Sequence, residues 1–162
     1  MFTRCLRADF YKMKRSSVII AHIIIPIVVS AVFLAYYAIS GWNETDKITA
    51  FYETLGSAFS VLIGIFTASI MEQEQNDGAF QNLLTLRSRT AALFSKVVTL
   101  LVFGLFALLF TAVIFGFGFN MIHGNSIASM GLFVRAVLVM WLSAIPLYLI
   151  FEIFAFVFGK AF

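Results

Sequence analysis

Charge is scarce in this chain. Only 12% of its 162 residues are Asp, Glu, Lys or Arg, against 62% that are hydrophobic, where a soluble domain carries about 25% charged and about 45–50% apolar residues. A globule of this length hides only about 68–70% of its unfolded surface. So much apolar side chain cannot be buried against itself, which excludes a water-soluble domain, and disorder is excluded with it. The single cysteine, Cys5, excludes an intrachain disulfide and a cysteine-based zinc or iron–sulfur cluster. Two prolines and ten glycines leave little room for long loops. The two histidines, His22 and His123, sit in different segments, so the His-Glu-x-x-His pattern that puts two imidazoles on one helix face is missing. No Gly-x-Ser-x-Gly elbow and no Gly-x-x-x-x-Gly-Lys-Ser/Thr phosphate loop occurs either. No catalytic residue, metal site, bound cofactor or nucleic-acid partner is therefore expected. The net charge of +3 reflects where Lys and Arg sit relative to lipid.

What the chain has in abundance is uninterrupted apolar sequence. A helix needs roughly 20 such residues to cross about 30 Å of hydrocarbon, and spans are predicted at about 18–40, 51–71, 97–119 and 131–158. The polar run Asn120–Ser126 separates the last two. Val97–Phe119 is apolar all round and lacks the alternation of a membrane barrel. The predicted fold class is all-α: a polytopic membrane helix bundle with four transmembrane helices within residues 17–162. Residues 1–16 precede it as an interfacial amphipathic helix, with Phe2, Leu6, Phe10 and Met13 on one face and Arg4, Arg7, Lys14 and Arg15 opposite. Such a helix lies in the headgroup layer, greasy side down. With a cytoplasmic N-terminus, Arg4, Arg7, Lys12, Lys14, Arg15, Arg87, Arg89, Lys96 and Lys160 fall inside and only Lys47 and Arg135 outside, as the positive-inside bias requires. Tyr36, Tyr37 and Trp42 read as interfacial anchors.

The cytoplasmic loop 72–90 carries most of the functional signal. Glu72, Glu74 and Asp77 come first, Gly78 follows, and Phe80, Leu83 and Leu84 form a ridge at i, i+3 and i+4 ahead of Arg89. Asp77-Gly78 suits a helix start. The resulting short amphipathic helix either rests in the headgroups or fits a groove on a cytoplasmic partner. An anionic leaflet would repel its acids, which favours the partner. In the second span Gly56, Ser60, Gly64 and Ala68 recur every four residues, a spacing that lets backbones approach closely, within the chain or at a subunit seam. Polar residues inside a span are functional candidates. His22, beside Pro26 and Ser30, and Glu152 in the fourth span mark either a cargo path or internal packing, and Glu152 could equally snorkel to the inner interface.

These residues carry a resemblance. The stretch Leu6–Ser16, running straight into an apolar span, resembles the start of permease subunits of the ABC-2 class of ABC transporters. Glu72-x-Glu74, Gly78, Ser88-Arg89 and Lys96 match the acidic loop and the basic start of the third span in that class. The string Gly78–Leu84 is similar to the lantibiotic-immunity branch, whose members protect a producer from its own membrane-active peptide. The resemblance implies an exporter in the bacterial plasma membrane whose ATP and Mg sit on a separate cytoplasmic ABC ATPase. It also implies a second permease subunit in a homo- or heterodimer, contact with membrane lipid, and a peptide cargo. The 72–90 loop and the N-terminal helix would be the docking elements. Another cargo, such as a drug or a lipid, and a small channel or structural membrane protein outside the class remain open. Permeases of this class have six spans and this sequence carries four, so it is expected to be a truncated product or a fragment.

Overall fold

The computed structural model describes residues 2–14, 16–76, 89–124 and 129–158. Among these residues the chain is all helix: α1 (Phe2–Lys14), α2 (Ser17–Ile39), α3 (Glu44–Asn76), α4 (Arg89–His123) and α5 (Met130–Phe158). The four from α2 onward are long and apolar enough to cross a membrane. In lipid every backbone polar group must be satisfied within its own segment, and a helix does this.

The helix ends follow local chemistry. Ser16 caps α2, its Oγ accepting from the Val18 N–H at 3.2 Å. Asn43 Oδ1 takes the Asp46 N–H at 3.0 Å at the start of α3, where Glu44 and Asp46 also suit the positive end of the helix dipole. Beyond α4, Gly124 adopts φ +94° and donates its N–H to Asn120 at 3.0 Å. That left-handed stop is one a β-carbon would strain.

α4 is the centre of the bundle, with α1, α2 and α5 packed along it, and α3 closes the far side against α5. Close approach on α4 depends on missing side chains. A β-carbon at Gly104 would collide with the Tyr148 hydroxyl, and one at Gly116 would sit 3.0 Å from the Phe133 ring. The wider gap between α3 and α4 is filled by aromatic rings, with Phe51 stacked on Phe115 at 3.6 Å between centroids. Trp141 Nε1 donates to the Leu101 carbonyl at 2.8 Å, tying α5 to α4.

Several expectations need correction. The span predicted at 51–71 is the middle of a longer helix: α3 begins at Glu44 and runs through Glu72 and Glu74 to Asn76, so the first part of the 72–90 segment is helix, not loop. α1 does not present its apolar face wholly to lipid. Met13 is buried in the bundle, and the Phe10 ring meets Phe103 of α4 at 5.4 Å. Tyr36 and Trp42 are exposed as anchors should be, but Tyr37 turns inward and is buried. Lys47, which the charge bias assigns only to the outer side, is buried as well. Its ammonium donates at 3.0 Å to the free Tyr37 carbonyl near the end of α2 and at 3.0 Å to His123 Nε2. His123 Nδ1–H points to the Phe119 carbonyl at 3.3 Å, which leaves Nε2 a lone pair for the ammonium.

Candidate functional site at the charged end of the bundle

One continuous stripe of α3 faces the interior: Lys47, Phe51, Leu55, Phe59, Ile63, Thr67, Ile70, Met71 and Glu74. Steps of three and four keep these side chains on one face. The stripe is apolar along its middle and ends in a buried cation at one extreme and a buried anion at the other.

At the anionic end three elements converge. Lys96 of α4 places its ammonium 2.7 Å from Glu74 Oε1 and 3.3 Å from Asp9 Oδ1 of α1. Lys12, one turn beyond Asp9, reaches the same Glu74 oxygen at 2.6 Å. Ser95 Oγ hydrogen-bonds the other Asp9 oxygen. Gln73 Nε2 donates to Ser16 Oγ at 3.1 Å, at the turn joining α1 to α2. The Lys96 and Glu74 side chains are only 5% and 6% exposed, that of Asp9 14%, while Lys12 is 45% exposed. Removing two charges from water is expensive, and geometry and further hydrogen bonds must offset it. Lys96 meets that condition by holding two carboxylates at once. A cavity of about 20 Å³ lies among Asp9, Lys12, Gln73, Glu74, Lys96 and Thr99, room for one water. The arrangement clamps α1 to the ends of α3 and α4 through shared ion pairs.

The structure separates the sequence candidates. Glu74 is at the centre of the cluster, whereas Glu72 on the same helix is exposed. Asp77, Gly78, Phe80, Leu83 and Leu84 lie outside the described residues, and Arg89 opens α4. Two members of the small-residue stripe face α5: the Phe151 ring lies 3.3 Å from where a β-carbon at Gly64 would stand, and Met140 lies 3.8 Å from that of Gly56. Ser60 donates to the Gly56 carbonyl at 3.0 Å, and Ala68 is half-buried. His22 is a packed residue, with Nδ1–H on the Val18 carbonyl at 2.7 Å and its ring stacked 4.2 Å from Phe66. It edges an apolar crevice between α2, α3 and α4. Glu152 is buried, 3% exposed, and so does not snorkel. Among the described residues no group of three or more His, Cys, Asp or Glu converges to hold a metal ion.

Sequence reasoning missed Asp9, Lys12, Ser95 and Lys96 as members of one site. The available signal was Asp9, the sole acid in a basic helix. Nothing local told which base it would meet.

Residues 5–162 match a protein family described as ABC-2 family transporter protein. No curated protein and no solved structure matches the chain.

Proposed function

Because this chain belongs to the ABC-2 family of transporter proteins, we propose that it is the membrane-spanning permease subunit of an ATP-driven exporter, with its inner end as the coupling site to a cytoplasmic ABC ATPase. The observation that carries this reading is the Asp9–Lys96–Glu74–Lys12 cluster. It joins the surface helix α1 to two spans through charged contacts, most of them sheltered from water. A force applied at the inner face therefore reaches the bundle interior without first being lost in side-chain slack.

The chain has no phosphate-binding loop of its own, so the nucleotide belongs to the partner. Closure of paired ATPases would pull on the segment between α3 and α4 and on α1, and packed helices respond to such a pull by moving between discrete arrangements. A second permease subunit would complete the pair. The Gly78–Leu84 string supports a peptide cargo, with self-immunity to a lantibiotic as the role and the bacterial plasma membrane, N-terminus inside, as the location.

Replacing Phe80 and Leu83 by Asp should abolish co-purification of the ATPase while leaving the permease in the membrane fraction. Persistent binding by that variant overturns the docking assignment. Expression with its ATPase in a lantibiotic-sensitive host should raise the tolerated peptide concentration several-fold. Unchanged tolerance moves the cargo to another class.

A further inference from the structure

Glu152 has no place in the cluster as it stands. It is 3% exposed, and neither carboxylate oxygen has a hydrogen-bond partner among the described residues. An unpaired carboxylate inside a bundle is among the costliest groups a fold can carry. The register shows what it lies beside. α4 and α5 run antiparallel, and Tyr148 of α5 sits against Gly104 of α4. One turn further along α5 and one turn back along α4 bring Glu152 level with Leu100, a single turn of about 5.4 Å from Lys96. Glu152 is within electrostatic reach of Lys96, Asp9 and Glu74.

The charge count makes the point sharper. Three buried or half-buried acids, Asp9, Glu74 and Glu152, share this end with Lys96 and the outlying Lys12. Lys96 has three N–H donors and directs two of them at Glu74, at 2.7 Å, and at Asp9, at the longer 3.3 Å. Asp9 is also the partner that belongs to α1, the helix outside the four long apolar ones.

We propose that Glu152 is the second seat of the Lys96 ammonium: when α1 withdraws and takes Asp9 with it, Lys96 turns from Asp9 to Glu152. The inference rests on reading α1 as a moving part of the coupling site. Lys96 keeps two carboxylates before and after the exchange, so release of α1 does not strand a buried cation. The same exchange draws α4 towards α5 at the inner end. Glu152 is thus a positioning residue, idle in the α1-docked arrangement and engaged in the other.

The test uses the full purified chain in detergent, with no ATPase, so its outcome is independent of the docking assignment. In the otherwise native chain, Glu152→Gln should leave the melting temperature unchanged or raise it, because an unpaired carboxyl is removed. In an Asp9→Asn background the same substitution should lower the melting temperature by several degrees, because it removes the replacement partner of Lys96. Equal shifts in the two backgrounds overturn the proposal. Should Asp9→Asn fail to fold, Phe10→Ala with Ser95→Ala loosens α1 and leaves every charge in place. Modification of Glu152 by a hydrophobic carbodiimide, read by mass spectrometry, should then fall several-fold and a Lys96–Glu152 amide cross-link should appear. Unaltered modification with no cross-link overturns the exchange.

Discussion

Lys96 and Lys12 touch the same Glu74 oxygen at nearly equal distances, 2.7 and 2.6 Å, yet they should contribute very differently. Lys12 is half in solvent, where an ion pair is worth about 0–1 kcal/mol, so Lys12→Ala should lower stability by no more than about 1 kcal/mol. Lys96→Met leaves Asp9 and Glu74 facing each other with their shared cation gone. Breaking a buried pair in this way costs about 3–5 kcal/mol. Unfolding of the purified protein on titration with a denaturing detergent should rank the two variants in that order, and equal losses would mean that Lys96 is wetter than its 5% exposure implies. At this scale the sequence singled out Glu74 as a candidate, and the structure shows it buried and ion-paired. Its partners were not legible, because they lie 22 positions away at Lys96 and 62 at Lys12. No periodicity links residues on different helices.

Among elements, α3 shows what a periodic pattern can and cannot convey. The four-residue spacing of Gly56, Ser60, Gly64 and Ala68 announced a close helix contact, and α5 supplies it. Whether that contact was internal or between subunits depended on which helix had large side chains at the matching height, and Phe151 and Met140 do. Gly64→Leu should therefore push the Phe151 ring aside and destabilise the fold by about 1–3 kcal/mol, the usual cost of overpacking. Gly41→Ala is the control: nothing lies within 4 Å of its β-carbon position, so the melting temperature should not move. α1 gives a second element-scale prediction through its lone cysteine. Cys5 is half-buried on the docked helix, so Lys96→Met, which releases the clamp, should speed its reaction with a maleimide several-fold. An unchanged rate would place the anchoring of α1 in the Phe10 and Met13 contacts instead.

For the whole molecule, the decisive feature is which helix ends share a side. Asp9, Glu74 and Lys96 meet at one end of the bundle, while Tyr37, Lys47 and His123 meet at the other. Such a layout follows because α2, α3 and α4 each run the length of the bundle in alternating directions, and α5 then returns Glu152 to the clamped end. Its orientation can be read in a Cys5→Ser background. Glu72→Cys, exposed at the clamped end, should react with an impermeant maleimide only after cells are permeabilised. Gly41→Cys, exposed at the opposite end, should react in intact cells. The reverse labelling would invert the protein in the membrane and place the proposed coupling site on the wrong side of the bilayer for an ATPase.

The sequence by itself determined the solvent, the number of crossings and the all-helical class. Those depend on running averages of hydropathy and on the need to satisfy each backbone group locally, both properties of contiguous residues. It also pointed to Glu74 and to the small-residue face of α3. Only the tertiary structure decided that α4 stands at the centre, that Lys47 and Lys96 are buried rather than flanking, and that Glu152 lies unpaired beside an ion cluster. The order in which helices pack depends on side-chain shapes meeting across gaps, such as Tyr148 into the space left by Gly104. A buried charge is tolerable only where that meeting brings its opposite.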